Sequence, residues 1–166
     1  LKGQPLIVDT GISTYEKNAR RRRERSTAAH NTVSICAKNS SDVWGGFRVG
    51  KRARTQVLSK DDHKLVAKHN GYGYPHQRRF ELTEANLYLK DNIGPKQGTA
   101  RFHLHEDHTV TLTEAALLGE GFRIRWSTGK ASVRTYERSL GFNFCIQASV
   151  LEISFAEHLE VWVEWE

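Results

Sequence analysis

The sequence predicts an all-β protein, an antiparallel β-sandwich forming a single domain over residues 1–166, and three observations lead there. Apolar and polar residues alternate with period two over many short runs. Turn-forming clusters separate those runs at close intervals. No stretch carries a sustained helical period. Many short strands with turns between them and no intervening helices fit two antiparallel layers rather than strand–helix–strand crossovers.

Each run implies one buried and one wet face. In "RFHLH", Phe102 and Leu104 stand against His103 and His105. "TVTLT" repeats the alternation. In "GFRIRWS", Phe122, Ile124 and Trp126 share a face opposite Arg123 and Arg125. "FNFCI" follows the same rule, and in "LEVWVEW" Leu159, Val161, Val163 and Trp165 alternate with Glu160, Trp162 and Glu164. The separating turns are "KDDH", "NGYG", "NIGPKQG", "LGEG" and "STGK". Only "TEANLY" and "TEAALLG" could each hold a helical turn. Thr113 to Ala116 has the capping-box spacing without the acidic partner, so that segment reads as strand or bulge. There is no internal repeat, low-complexity segment or interdomain linker.

A chain of 166 residues suits one domain and can bury about two-thirds of its unfolded surface. With 38% hydrophobic and 27% charged residues it has the composition of a globular protein. No apolar run approaches the roughly 18 residues of a membrane span, and no signal peptide opens the chain. Methionine is absent, and the opening "GQPLIVDTG" reads like the middle of a protein, so an excised domain or processed product is expected. Cys36 and Cys145 lie in apolar runs and are expected as buried thiols; two cysteines make no disulfide framework. The net charge of +6, with eight histidines besides, favours an anionic partner: nucleic acid, acidic polysaccharide or anionic lipid.

Two segments hold candidate chemistry. The first is "NARRRRERSTAAHNTV", where a basic run, Arg20 to Arg23 with Arg25, leads towards His30 among small residues. Because the run feeds a strand it is expected as an ordered loop, with Arg23 and Arg25 pointing to one face. Their planar forks suit carboxylate or sulfate. The second is "KHNGYGYPHQRRF", which gathers His69, Tyr72, Tyr74, His76, Arg78 and Arg79 around a glycine turn. No histidine or cysteine spacing matches a standard zinc site. Phosphate loops, the nucleophile elbow and the zinc-protease helix motif are missing. "DTG" at Asp9–Gly11 resembles an aspartic-protease loop, but that chemistry needs a second such loop. Nucleic-acid modules are likewise missing, so no nucleic-acid partner is expected.

Five stretches occur in order: "PLIVDTGISTY", "RRRRERSTAAHNTVSI", "SDVWGGFRVGKRA", "HNGYGYPHQRRFEL" and "ARFHLH". Together, from Pro5 to His105, they resemble the C-terminal β-sandwich domain of heparinase II/III-like polysaccharide lyases; the remainder fits as a strand-rich tail. The resemblance implies a parent with an N-terminal α/α toroid, which carries a catalytic tyrosine and shares a cleft with the β-domain. It implies β-elimination on acidic, uronate-containing glycans, and a periplasmic or secreted setting. A non-catalytic binding or scaffolding module for acidic polysaccharide is the alternative.

On this resemblance His30, in "AHNT", and Tyr72, in "HNGY", are the implied catalytic residues. His76 and Arg78 match the family's following H-x-R, and with Arg23, Arg25, Asn31 and His69 they make up the expected substrate-binding set. Asn70 stands where the family usually has aspartate, which removes a charge. Some relatives bind zinc through histidine and aspartate; Asp42 is the nearest candidate here, and no metal ligand is assigned, a structural divalent metal such as zinc being the one cofactor the resemblance allows. The residue types suit the reaction. Neutralising a uronate carboxylate acidifies the C5 proton, histidine can remove that proton or supply the positive charge, and an acid must protonate the departing oxygen.

Overall fold

The computed structural model describes residues 3–166 and is built almost wholly of strands. A short helix α1 (Ala19–Glu24) and a 3-10 turn η1 (Thr27–Ala29) precede the strands β1 (Val33–Ile35), β2 (Asp42–Trp44), β3 (Arg48–Gly50), β4 (Thr55–Lys60), β5 (Lys64–His69) and β6 (His76–Leu82). Then come β7 (Asn86–His103), β8 (Val110–Leu112), β9 (Ala116–Gly119), β10 (Phe122–Trp126), β11 (Lys130–Gly141) and β12 (Phe144–Trp165). All pairings are antiparallel, as the alternation predicts.

The architecture turns on β7 and β12, which run side by side and bend together. Asn92 pairs with His158 and Gln97 with Ala156, so Ile93 to Lys96 stand opposite Glu157 alone. Gly94 (φ +59°) and Glu157 (φ +63°) take the left-handed conformations at this bend. Beyond it the same two strands serve a second layer. The first layer has the order β4-β5-β6-β7-β12-β10-β9-β8; in the second, β1 flanks β7 and β11 flanks β12. "NIGPKQG", expected as a turn between strands, is therefore a bulge inside one strand. A bulge bends a strand sharply without ending its pairing.

The inner faces meet in one continuous core that includes Val33, Ile35, Leu89, Phe102, Ile124, Leu151, Ile153, Leu159, Val161 and Val163. The predicted inward residues of "GFRIRWS" and "LEVWVEW" lie there, with Arg123 exposed on the other face. "FNFCI" does not follow its alternation: Phe142 and Phe144 are exposed, because Asn143 (φ +54°) makes this segment the β11–β12 turn. Cys36 is exposed and Cys145 half-buried, and neither is in a disulfide, which corrects the expectation of buried thiols. Cys36 follows the end of β1 in a left-handed turn (φ +50°), where its side chain leaves the core. "TEANLY" and "TEAALLG" enter β7 and β9 without forming helix.

The arginine run departs from expectation too. Asn18 accepts the Arg21 N–H at 2.9 Å and caps α1, so the arginines are helical rather than extended.

Candidate functional site

His30 lies at one end of the sandwich, where η1 passes the N-terminal segment and the end of β7. Thr27 anchors η1: its N–H donates to Asn39 Oδ1 at 2.9 Å, and its Oγ1 accepts the Ser40 N–H at 2.8 Å. Ala29 is buried under the turn. The small residues before His30 thus allow a tight turn, and His30 itself remains 47% exposed.

Across from it, "DTG" forms a side-chain turn. Gly11 N–H donates to Asp9 Oδ1 at 3.0 Å, and this aims Asp9 Oδ2 at His30 Nδ1, 2.6 Å away. Gly11 has φ +74°, and a Cβ there would meet Ser139 O at 3.0 Å. Partial burial pushes the Asp9 carboxyl up, but the His30 hydrogen bond, the Gly11 N–H and the nearby His30 and His103 rings outweigh it and hold the group below its ordinary value. An ionised carboxylate only accepts, so His30 Nδ1 carries the proton. In the neutral ring Nε2 is then the acceptor.

Asn31 ties this pair together. Its Nδ2 donates to Val8 O at 2.8 Å, next to Asp9, and its Oδ1 accepts the His103 N–H at 2.7 Å and His103 Nδ1–H at 3.1 Å. His103, expected on a wet face, is buried: Asn31 takes its nitrogen and the Tyr136 ring meets it edge-on at 4.8 Å. Burial, helped by Arg101, lowers His103 to about 4. Tyr136 donates its hydroxyl to Leu104 O at 2.8 Å, and burial pushes it up to about 12.

Beneath lies a buried polar chain. Gly71 N–H donates to His69 Nδ1 at 3.2 Å, so His69 Nε2–H donates to His76 Nδ1 at 3.0 Å, and His76 Nε2–H donates to Asp91 Oδ1 at 2.7 Å. Arg78 grips Asp91 bidentately, at 2.7 and 2.9 Å, and its Nη1 donates to Asn31 O at 2.6 Å. Burial lowers His69 to about 4, with His76 and Arg78 adding to the shift. Asp91 is fully buried, which alone would raise it, yet Arg78 and His76 keep it low. His76 is buried with both nitrogens engaged and cannot touch a ligand, so this member of the expected substrate-binding set supports the site from within. Arg78 and His69 also spend their nitrogens internally, but both are only partly buried.

The other expected residues separate. Arg23 and Arg25 do not share a face, because α1 ends between them. Arg23 Nη2 meets Glu137 at 3.2 Å and is 66% exposed, whereas Arg25 donates to Arg48 O at 3.0 Å and to Trp44 O and Gly45 O, both at 3.4 Å, clamping the β2–β3 hairpin. Tyr72 donates its hydroxyl to Val33 O at 2.7 Å and packs on the core; burial pushes it up. Asn70 accepts the Arg54 N–H at 3.0 Å. A cavity of about 390 Å³ opens beside the dyad, lined by Thr10, Arg20, Arg23, Ala29, His103 and Glu137 among others.

A divalent metal does not fit these residues. Among the described residues no three His, Cys, Asp or Glu side chains converge on one point. His69 and His76 bond to each other, and Asp42 pairs with Lys51 at 3.4 Å. Sequence reasoning gave Asp9, His103, Asp91 and Tyr136 no part in this site; for Asp9 the signal was "DTG", which needed His30 opposite it to acquire meaning.

Fold and site together define the class, an all-β sandwich domain with an open, polar, histidine–carboxylate site at one end of its layers. The family model that matches is that of the heparinase II/III-like C-terminal domain, over residues 1–153, and the chain belongs to this family. Among solved structures, a heparinase III gene product superposes with a TM-score of 0.75 at 13% identity over 98% of this chain. Heparan sulfate lyase HepC from Pedobacter heparinus superposes with a TM-score of 0.73 at 16% identity, again over 98%. At such identities the likeness is one of fold. The chain spans 28% of the length of either structure. A comparison with curated proteins finds no match. No helix among the described residues is long and apolar enough to cross a membrane.

Proposed function

We propose that this chain is the β-sandwich half of a polysaccharide lyase that cleaves acidic, uronate-containing glycans by β-elimination, completing a cleft with an N-terminal toroid of the same parent. The observation that carries the reading is the Asp9–His30 pair: His30 gives its Nδ1 to Asp9 and is 47% exposed, and the residues next to the two, Thr10 and Ala29, line a cavity that Arg20 and Arg23 also line. That is the arrangement a general base needs. The HepC name, heparan sulfate lyase, supports an acidic glycan as substrate.

In the reaction, His30 Nε2 takes the C5 proton of the uronate. The C5–H electron pair becomes the C4–C5 double bond, and the C4–O bond breaks. The departing oxygen takes a proton from an acid on the toroid side. Arg23, which lines the same cavity and pairs with Glu137, offsets the uronate carboxylate, which acidifies C5. Tyr72 keeps its proton, which it gives to Val33 O, and burial raises it, so it acts from within the fold and not as the base. Asp9 keeps His30 in the reactive tautomer and stabilises the imidazolium that forms.

One observation favours the alternative of a binding module: Tyr72, His69, His76 and Arg78 spend their polar atoms internally, leaving His30 and Arg23 as the exposed members of the expected set. The discriminating experiment incubates the full-length protein with heparan sulfate, heparin, hyaluronan and alginate and follows the ultraviolet absorbance of the unsaturated uronate. A rise on one of them, abolished by His30→Ala, supports the lyase. A flat trace with measurable glycan binding supports the module. The chain alone, with half a cleft, is expected to give no turnover.

A further inference from the structure

Three exposed aromatic rings form a row that the His30 site does not use. Tyr15 precedes α1, Phe47 lies in the β2–β3 turn, and Phe142 lies in the β11–β12 turn. The Tyr15 ring stacks with Phe47 at 6.0 Å and with Phe142 at 6.3 Å, each at an interplanar angle of 18°. The rings are nevertheless 56%, 69% and 67% exposed for Tyr15, Phe47 and Phe142. Single exposed aromatics are ordinary; three from separate loops with a common orientation are a built surface.

The row is fixed from below. Arg21, buried in α1, places its guanidinium 5.4 Å from the Tyr15 centroid and 5.5 Å from that of Phe47. Its Nε donates to Gly46 O at 3.1 Å, while its buried Nη1 has no hydrogen-bond partner. The rings therefore hold this cation in place of a carboxylate, and a desolvated cation–π contact is the strong kind. Asn143 N–H donates to Ser13 O at 2.7 Å and joins the Tyr15 segment to the turn bearing Phe142. Arg21 thus occupies one side of the Tyr15–Phe47 pair and the other side is open.

We propose that this row is a second glycan-binding surface, on which successive sugar rings of an acidic chain stack. The C–H face of a pyranose carries slight positive charge and matches the negative face of an aromatic ring. Nearly parallel rings at 6.0 and 6.3 Å from the central Tyr15 suit a chain of sugar rings. Lys17, Arg22 and Arg48, exposed on the segments that carry Tyr15, Arg21 and Phe47, supply positive charge for carboxylate or sulfate groups. Rings held in place before binding lose little entropy when it occurs. The acidic character of the ligand rests on the proposed function; the stacking does not.

The test uses the full-length protein in a His30→Ala background, so that any glycan stays intact. Calorimetry measures binding of octasaccharides of heparan sulfate, hyaluronan and alginate, with a neutral cello-oligosaccharide as control. Phe142→Ala and Tyr15→Ala are each expected to weaken the best acidic ligand on the order of tenfold, with the oligomeric state unchanged in sedimentation. Phe142→Leu keeps an apolar side chain without the flat face and is expected to weaken binding equally, which covers the case of an unfolded alanine variant. Unchanged affinity in folded variants, or no binding of any octasaccharide, overturns the proposal. So does a change confined to self-association, which would make the row a protein contact. A lyase that fails in the absorbance assay can still pass this test, and the reverse also holds.

Discussion

Asp9 and His30, 21 residues apart in sequence, are joined at 2.6 Å, and the Gly11 N–H occupies the other Asp9 oxygen. The carboxylate thereby dictates which imidazole nitrogen is free. Asp9→Asn keeps the shape and removes the charge, and the amide no longer demands a proton on Nδ1. We expect turnover of the full-length protein to fall on the order of 10²–10⁴-fold, with the circular dichroism spectrum unchanged, in steady-state elimination kinetics.

Asn31 belongs to the geometry of the site. It bridges the Val8–Asp9 segment and the buried His103, while its own carbonyl is held by Arg78. Asn31→Ala leaves the Val8 carbonyl and the His103 N–H without these partners, at a cost of about 1–3 kcal/mol. Denaturant unfolding should show that loss, and kcat should fall with it. Asn31→Asp should not restore either quantity, since a carboxylate cannot donate to Val8 O.

Asp91 compensates Arg78 in the interior, where the bidentate pair and the His76 hydrogen bond hold its carboxylate. Asp91→Asn strands the guanidinium and should destabilise the protein by about 3–5 kcal/mol. A shift in the urea midpoint reads this directly. Replacing Asp91 and Arg78 together by apolar residues should cost less than Asp91→Asn alone.

The legibility of the sequence differed by scale. Alternation revealed strands wherever one face is buried, as in β10 and the end of β12. It could not reveal that β7 and β12 each pass through both layers, because the bend depends on Glu157 adopting φ +63° opposite the Gly94 bulge. "AHNT" marked His30, but its partner Asp9 is brought in only by the tertiary fold. The same holds for His76 of the second cluster, which is buried against Asp91 of β7, the register partner of Arg78. In "NGYG" the sequence suggested glycines needed for positive φ. That is true of Gly73 (φ +81°), whereas at Gly71 the need is space, since a Cβ would stand 2.3 Å from Ser40 O.

His69 and His103 set the acid response. Both have folded values lowered to about 4 from an ordinary 6.5, chiefly by burial. Between those values the unfolded chain binds more protons, so stability rises with pH there. The contribution is fully present above about 6.5 and is lost as pH falls towards 4. Unfolding midpoints taken from pH 7 to pH 4 should fall steadily, and His69→Asn should flatten that slope by about one proton's worth.

The most direct measurement of the central claim is elimination by the full-length His30→Ala variant, on the glycan the wild type cleaves, with and without added imidazole. The rate of absorbance rise should fall on the order of 10²–10⁴-fold, with a native circular dichroism spectrum and partial recovery as free imidazole enters the space beside Asp9. Wild-type turnover in the variant would contradict His30 as the base and move the chemistry elsewhere in the protein.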